Sequence, residues 1–169
     1  LKIIFGTVTA HHKHLRVDDQ IDQKGFLTGR FAYLSQSFFI PHYLKLGTAV
    51  KLYTNKYQHL LLELPVFKDH FNQRIGNLSG GNRRLAEALL MIYSDAKYVL
   101  LDEPFSQLSP LLIEEIKTNM NAMLSYKGFV ITDHYYQHVW DYAARTILLH
   151  NGCNYQIKNL EDLQLHGYL

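Results

Sequence analysis

The sequence contains little that points to a disulfide-stabilised, membrane-spanning or nucleic-acid-binding protein. Its single cysteine, Cys153, cannot form an internal disulfide, which favours a reducing, cytosolic compartment. No apolar run approaches the roughly 18 residues that span a bilayer, so we expect any membrane contact to be made through a partner. A net charge of +2 is too small to indicate a nucleic-acid partner.

A phosphate-binding loop is also missing. The pattern G-x-x-x-x-G-K-[ST], a glycine-rich loop that cradles nucleotide phosphates, occurs nowhere in the 169 residues. The sequence opens with residues 1–6, which are typical of the last turns of a helix closed by Gly6. Because neither a methionine nor a capping residue precedes them, we expect the sequence to begin inside a helix.

The residues that are present fit one globular domain. Their composition, 47% hydrophobic and 19% charged, is ordinary for a protein with a buried core. Short apolar runs at 98–101 and 128–132 predict buried strands, and 146–149 predicts a third strand. Periodic apolar residues at 111–124 and 136–144 predict helices between them. This alternation indicates a parallel α/β core.

The first half of the sequence has a different pattern. Residues 14–18 and 29–34 predict two strands. Residues 42–93 have helical periodicity, with breaks expected at Gly47, at Pro65 and at the glycine-rich turn that follows. We therefore expect a helical insertion between an early strand region and the later α/β core.

Two adjacent carboxylates follow the predicted strand at 98–101. In an open α/β sheet, ligands bind beyond the carboxyl ends of the strands. Asp102 can hold Mg²⁺, which prefers one or two carboxylates together with phosphate oxygens. Glu103 can then orient or deprotonate a water molecule for attack on a phosphoryl group. The alternative is an exposed acidic turn stopped by Pro104.

A Leu-Ser-Gly-Gly segment precedes the predicted helical stretch at 82–93. Ser79 can cap that helix, and Gly80 and Gly81 allow a ligand to approach the backbone closely. Free N–H groups and the helix dipole favour an anion there. Arg83 and Arg84, in the first turn, are unfavourable for the dipole unless an anion lies nearby. The alternative is a flexible turn before an ordinary helix.

Two further polar residues follow predicted strands. His134 comes after the strand at 128–132 and can hydrogen-bond a terminal phosphate, although a lone histidine is also common at structural or surface positions. Gln36 lies at the hinge before the helical insertion, where it can reach a metal ion or a water molecule. Neither residue identifies a site by itself.

The order and spacing of these features resemble those of ABC transporter ATP-binding domains. The resemblance implies a Q-loop at Gln36, a signature motif at residues 78–81, a Walker B motif with Asp102 and the catalytic Glu103, and a switch histidine at His134. It also implies the fold: α/β, with a P-loop NTPase-like, mostly parallel sheet core and an inserted α-helical subdomain.

The same resemblance implies the domain organisation. Residues 1–169 would form a single ABC ATPase domain that is incomplete at its N-terminal side. Residues 1–41 would supply part of the core and the Q-loop, residues 42–94 the helical subdomain, and residues 95–169 the α/β core with Walker B, D-loop and H-loop. In the family, the missing phosphate loop runs directly into a helix that looks like the opening residues here, so we expect the sequence to start just after that motif.

The implied function is an ATP-hydrolysing transporter subunit that uses ATP and Mg²⁺. It would work as a head-to-tail homodimer, or as a heterodimer with another ABC ATPase domain. Ser79, Gly80 and Gly81 would contact the partner's ATP, and Asp102 with Gln36 would hold the metal. A transmembrane permease subunit would be the other partner, which implies a cytoplasmic, peripheral location on the inner face of the membrane.

The sequence departs from the family in ways that leave an alternative open. Without the phosphate loop, the chain as given is expected to bind ATP poorly and to be inactive alone. Ser109 stands where the D-loop usually ends in Asp, and we expect the serine to cap the next helix while communication between two ATP sites weakens. These departures favour a non-transport or degenerate ABC protein that acts as a regulatory or binding module.

Overall fold

The computed structural model describes residues 1–140, 142–166 and 168, and the chain divides into two compact units, Leu1–His134 and Tyr135–Leu169. In chain order, the elements of the first unit are α1 (Lys2–Phe5), β1 (Arg16–Val17), β2 (Gln20–Ile21), β3 (Phe31–Leu34), α2 (Leu46–Tyr53), α3 (Gln58–Glu63), α4 (Pro65–Lys68), α5 (Gly80–Ile92), β4 (Tyr98–Asp102), α6 (Pro110–Met123) and β5 (Gly128–Thr132). Short 3-10 helices lie at Gly25–Leu27 and Ile75–Asn77. Within the described ranges, no helix has the length and hydrophobicity that crossing a membrane requires.

A parallel three-stranded sheet organises the first unit. β4 lies between β3 and β5 and pairs in parallel with both. The register places Leu34 beside Leu101 and Asp102 beside Thr132, so the three strands end at one edge. The three central residues of β4 are fully buried, as expected for a strand that is covered on both faces.

β5 is less buried than its apolar sequence predicts. Phe129 and Ile131 pack against the hydrophobic core, but Val130 between them is 43% exposed. Successive side chains of a strand point to opposite faces of a sheet, so the face that carries Val130 is left open to solvent. The prediction of a strand at 128–132 is confirmed, and the prediction that it is buried on both faces is wrong.

α5 is the central helix of this unit. It begins after Ser79, whose Oγ accepts a 3.2 Å hydrogen bond from the Asn82 backbone N–H, so the predicted serine cap is confirmed. Every residue from Arg84 to Ile92 is buried, and the helix packs against β3, β4, α2, α4 and α6. A helix that is buried on most sides is typical of the middle of a core.

The helical insertion is broken at Pro65 but not at Gly47. Pro65 occupies the first turn of α4, where its missing N–H is not needed. Gly47 lies inside the first turn of α2, where an added Cβ would stand 2.5 Å from the ring of Phe71. The glycine at position 47 therefore permits close packing and does not end a helix.

The second unit contains α7 (Tyr136–Trp140), β6 (Thr146–His150), β7 (Cys153–Ile157) and α8 (Leu160–Leu165). The sequence predicted the third apolar run as a strand of the parallel core, whereas β6 pairs antiparallel with β7. Asn151 and Gly152 connect the two strands with φ angles of 50° and 76°, as a tight hairpin turn requires. Of the predicted helix at 136–144, the structure has Tyr136–Trp140 as a helix and 142–144 as non-helical, and position 141 lies outside the described residues.

Candidate functional site

The carboxyl edge of the β3–β4–β5 sheet gathers the polar residues that the sequence predicted at strand ends. Gln36 follows β3, Asp102 and Glu103 stand at the end of β4, and His134 follows β5. Parallel strands end at a common edge, which is where open α/β sheets bind ligands. This edge is the candidate site.

Asp102 is held by the strands on both sides of β4. Its Oδ1 accepts a 2.7 Å hydrogen bond from Thr132 Oγ1, and its Oδ2 accepts a 2.7 Å hydrogen bond from the Tyr33 hydroxyl. Burial opposes ionisation of Asp102, but the hydrogen bonds from Thr132 and Tyr33 outweigh it, and the net pKa of Asp102 is lowered. For Tyr33, burial and the hydrogen bond to Asp102 both raise the pKa of the phenol. Asp102 is therefore a fixed carboxylate with lone pairs left for a hard cation.

Glu103 and His134 contact each other directly. His134 Nε2 lies 2.8 Å from Glu103 Oε1, and the His134 side chain is 83% exposed while that of Glu103 is 17% exposed. The Glu103 backbone has a φ of 48°, a left-handed conformation that is uncommon for residues other than glycine. Its N–H donates a 2.7 Å hydrogen bond to the Thr132 carbonyl, which ties the turn after β4 to β5.

Arg84 of α5 contacts the backbone at the same strand ends. The residue is only 5% exposed, and its guanidinium donates to three backbone carbonyls. Nη1 lies 2.6 Å from the Ser35 oxygen, and Nη2 lies 2.9 Å from the oxygens of both Asp102 and Glu103. Burial lowers the pKa of Arg84, yet an arginine side chain stays charged at neutral pH.

Arg83 and Glu87 hold the segment that follows Gln36. Glu87 is fully buried and accepts hydrogen bonds from the backbone N–H groups of Phe39, at 3.4 Å, and Ile40, at 3.2 Å. Arg83 donates to the Ile40 carbonyl at 2.7 Å and pairs with Glu87 at 3.5 Å. Burial raises the pKa of Glu87, although the backbone hydrogen bonds and Arg83 oppose that shift.

These contacts explain the two arginines in the first turn of α5. The sequence offered a nearby anion as the reason for two cations at the positive end of a helix dipole. In the structure, both guanidinium groups bind protein carbonyls, and Arg83 also pairs with the Glu87 carboxylate and lies 4.3 Å from the centre of the Phe38 ring. The protein itself therefore supplies the partners of this arginine pair, and the pair is not a sign of a bound anion.

Gln36 itself is exposed in the bend after β3. The residues on either side of it are held by α5, through Arg84 at Ser35 and through Glu87 at Phe39 and Ile40. The Gln36 side chain is thus presented on a short, tethered loop at the edge of the sheet.

The N-terminal end of α5 is a separate exposed feature. Ser79 and Gly80 are exposed, and no heavy atom lies within 4 Å of the place where a Cβ would stand on Gly80. On Gly81, an added Cβ would lie 2.9 Å from Leu112 Cδ1 of α6. The end is open and free of side chains at Gly80, so a flat, polar group can reach the backbone N–H groups of the first turn.

The remaining residues that the sequence drew attention to have plainer settings. Ser109 is the residue before α6, but its side chain makes no hydrogen bond to the helix, so its predicted role as a cap is not realised. Pro110 is the first residue of the helix, a position that suits proline.

An apolar groove lies between β3 and the helical insertion. It is a cavity of about 530 Å³, and its lining includes Tyr33, Phe39, Leu52, Tyr53 and Met91. Phe39 and Tyr53 meet edge to face, with ring centres 5.7 Å apart. Because Phe39 is also held by Glu87, the groove and the loop of Gln36 share a wall.

Comparison with solved structures identifies the fold. The chain superposes on a structure described as the ATP binding subunit of an ABC transporter with a TM-score of 0.80, at 20% identity, over 99% of this chain and 75% of the other. A bacterial Atm1-family ABC exporter with ATP bound matches with a TM-score of 0.78 at 15% identity, over 99% of this chain and 32% of the exporter. The fold is that of an ABC ATPase domain.

Sequence relatives point in the same direction. The chain is 32% identical over 85 residues to the lipopolysaccharide export system ATP-binding protein LptB of Haemophilus influenzae, and 31% identical over 86 residues to LptB of Escherichia coli. These matches cover 49% and 50% of this chain but only 35% and 36% of the relatives' own lengths. No protein-family model matches the chain. The resemblance to ABC transporter ATP-binding domains that the motifs carry is confirmed.

The sequence did not reveal the residues that fix the strand ends. Tyr33 and Thr132 hold Asp102, and Arg84 holds the backbone of Glu103. The contact between Thr132 and Asp102 could have been predicted, because Thr132 ends the next strand and lies beside Asp102 when the two strands are paired. The hydrogen bonds from Arg84 could not have been predicted, because their acceptors are main-chain carbonyls, which do not depend on residue type.

Proposed function

We propose that this chain belongs to an ATP-binding and ATP-hydrolysing subunit of an ABC transporter. The observation that supports it best is the 2.8 Å contact between Glu103 and His134 at the carboxyl edge of the sheet, next to the fixed carboxylate of Asp102. A carboxylate that can accept a proton, a histidine that can donate to a phosphate and a carboxylate suited to Mg²⁺ are the groups that phosphoryl transfer to water requires.

In this proposal Asp102 and Gln36 would hold Mg²⁺. The donors fit this ion, because a carboxylate and an amide oxygen are hard ligands and the hydrogen bonds from Thr132 and Tyr33 keep Asp102 ionised. Mg²⁺ needs few protein ligands when phosphate oxygens complete its shell. When bound, the ion supplies positive charge that neutralises the β- and γ-phosphates of ATP.

Glu103 polarises the attacking water, and His134 donates a hydrogen bond to the γ-phosphate. Both functions require the two side chains to separate far enough to admit the phosphate and the water between them. The high exposure of His134 supports this, because an exposed imidazole can rotate without breaking core packing. His134 then reports whether the γ-phosphate is present.

The exposed end of α5 serves a second nucleotide. Ser79, Gly80 and Gly81 would contact ATP that is bound to a partner ATPase domain, in a head-to-tail homodimer or heterodimer. The open space at Gly80 and the free N–H groups of the first helical turn support this role.

The apolar groove would receive a helix of a transmembrane permease subunit. Its aromatic wall is continuous with the Gln36 loop through Phe39, so an occupant of the groove and the metal site would contact the same backbone segment. The subunit would then lie at the cytoplasmic face of the membrane, attached through its partner. A hydrophobic groove with one polar edge is typical of recognition of an amphipathic helix.

The test is the Glu103→Gln variant of the natural polypeptide that contains this sequence. We expect ATP to bind but not to be hydrolysed, so that ATP-bound dimers accumulate and are seen by light scattering with ATP and Mg²⁺. His134→Ala is the companion variant and should lose turnover with weaker trapping, because it removes a γ-phosphate contact. Normal turnover without trapped dimers in Glu103→Gln would refute the assignment of Glu103.

A second candidate function is a regulatory or binding module that lends its signature segment to an intact ATPase. The open Ser79–Gly81 end supports it, because this end can act without a phosphate loop in the same chain, and none occurs in this sequence. Mixing the chain with an ABC ATPase domain that has its own phosphate loop distinguishes the two. Stimulation that depends on Ser79 but not on Glu103 would favour the module.

A further inference from the structure

Arg84 occupies an unusual position for a buried cation. It is 5% exposed, and the hydrogen bonds of its guanidinium go to main-chain carbonyls that belong to two different strand ends. One nitrogen binds Ser35, the residue before Gln36, and the other binds Asp102 and Glu103. A single planar group therefore joins the loop of Gln36 to the turn that carries Glu103.

The turn at Glu103 needs such a group. A φ of 48° is sparsely populated for a residue with a side chain, and it persists only where the surroundings hold it. Three hydrogen bonds hold the backbone here: the N–H of Glu103 donates to Thr132 at 2.7 Å, and its carbonyl accepts from Arg84 at 2.9 Å and, more weakly, from the Ser106 N–H at 3.4 Å. The Glu103 side chain, which contacts His134 at 2.8 Å, projects from this backbone conformation.

We propose that Arg84 is a positioning residue that fixes the backbone from which the Glu103 side chain projects and couples it to the backbone beside Gln36. The inference rests on the proposed function, in which Glu103 is catalytic. α5 begins at Gly80, about one turn before Arg84, so a shift of this helix end is transmitted through one guanidinium to both strand ends.

The geometry distinguishes arginine from lysine at this position. The rigid fork of a guanidinium donates in two directions at once, whereas an ammonium is a point donor on a flexible stem. Arg84→Lys keeps the charge and the helix, but its one nitrogen cannot stand at the positions of both Nη1 and Nη2, so the contact with Ser35 or the contacts with Asp102 and Glu103 should be lost. The variant therefore removes the bridge more selectively than a truncation does.

The experiment is a double-mutant cycle in the natural polypeptide, with Arg84→Lys, Glu103→Gln and the combined variant. We expect Arg84→Lys to lower kcat by roughly 10- to 100-fold, the loss expected from misplacing a reacting group by about 1 Å, with KM for ATP changed less than about threefold. In the Glu103→Gln background, the same substitution should lower the residual rate by less than about threefold, because the group that Arg84 positions is gone.

A second readout does not depend on activity. Amide hydrogen exchange at Glu103 should accelerate in Arg84→Lys relative to exchange at Leu100, a fully buried residue of the same strand. Lys127→Met is the matched control, since Lys127 is another buried cation that binds two carbonyls, those of Ser94 and Ala96, away from the site. It should lower thermal stability while leaving kcat and the exchange of Glu103 unchanged.

Each outcome has a definite meaning. An unchanged kcat in Arg84→Lys, or an equal loss in both Glu103 backgrounds, would overturn the positioning role while leaving the proposed function intact. Unchanged turnover in Glu103→Gln alone would overturn the proposed function and the inference with it. If Arg84→Lys lacks the wild-type circular dichroism spectrum, Arg84→Gln, which keeps an uncharged N–H donor group, takes its place in the cycle.

Discussion

Thr132 and Asp102 stand side by side on adjacent parallel strands, and the threonine hydroxyl donates a 2.7 Å hydrogen bond to the carboxylate. The bond joins β5 to β4 at the point where both strands end. It fixes the Asp102 side chain and, together with the Tyr33 hydroxyl on the opposite side, favours its charged form.

The first prediction concerns this hydrogen bond and pH. A group whose pKa is lower in the folded than in the unfolded protein stabilises the fold above its unfolded pKa, and this stabilisation is lost as the pH falls through the folded value. Thr132→Val should therefore cost about 1 kcal/mol near pH 6, the lower end for a bond to a charged group that is partly exposed, and less below pH 3.8. Urea unfolding at several pH values measures it. A cost that does not shrink in acid would contradict the prediction.

The second prediction concerns Glu87, whose pKa is raised. The stabilisation linked to its protonated form is present below the unfolded pKa and is lost as the pH rises through the folded value. Glu87→Gln removes this dependence, so its unfolding free energy should vary less than that of the wild type from about pH 4.5 to neutrality. Glu114→Gln is the control, because the Glu114 side chain is 60% exposed. If the two variants have the same pH profile, the ionisation of Glu87 is not coupled to folding.

The third prediction compares two glycines near the starts of helices. Gly47→Ala should destabilise the protein by about 1–3 kcal/mol, because the added Cβ would stand 2.5 Å from the Phe71 ring. Gly80→Ala should be neutral or stabilising by up to about 1 kcal/mol, since the space around Gly80 is empty and alanine favours a helix. Chemical denaturation measures both. Gly80→Ala should also lower ATP-dependent activity although it does not destabilise the protein, and unimpaired activity would count against the role of the α5 end.

The fourth prediction concerns Ser109, whose hydroxyl makes no hydrogen bond to α6. A carboxylate there gains from the helix dipole and can accept from the first-turn N–H groups, so Ser109→Asp should stabilise the protein by about 0.5–1 kcal/mol. Asn121→Asp, at the exposed C-terminal end of the same helix, should have the opposite sign. Thermal unfolding of the two variants tests this. A matching sign in both variants would rule out a dipole effect.

The sequence predicted the parts of the fold that follow from periodicity. The strands at 98–101 and 128–132 and the helix after Ser79 lie within a residue or two of their predicted bounds, because buried strands and helices have distinct apolar patterns. The polar residues at the strand ends could also be predicted, since parallel topology brings such ends together. Asp102, Glu103 and His134 therefore meet at one edge, as expected.

The errors have a common physical cause: the pattern around a residue does not specify which other residues will pack against it in the fold. Val130 belongs to an apolar run, yet its face is open because exposure depends on what packs there. Gly47 was predicted to interrupt a helix, but it lies within one, and its lack of a side chain makes room for the Phe71 ring. The sequence suggested a nearby anion for Arg84, whereas its guanidinium donates to main-chain carbonyls. Since every residue has such a carbonyl, this kind of partner cannot be recognised in a sequence.

The most direct test of the central claim is the rate of ATP hydrolysis by the natural polypeptide that carries Glu103→Gln, with Glu114→Gln on the exposed face of α6 as the matched control. If Glu103 polarises the attacking water, its substitution should lower kcat by at least about 100-fold, a typical contribution of general base catalysis, while the control keeps the wild-type rate. Equal kcat values for Glu103→Gln and the wild type would contradict the account.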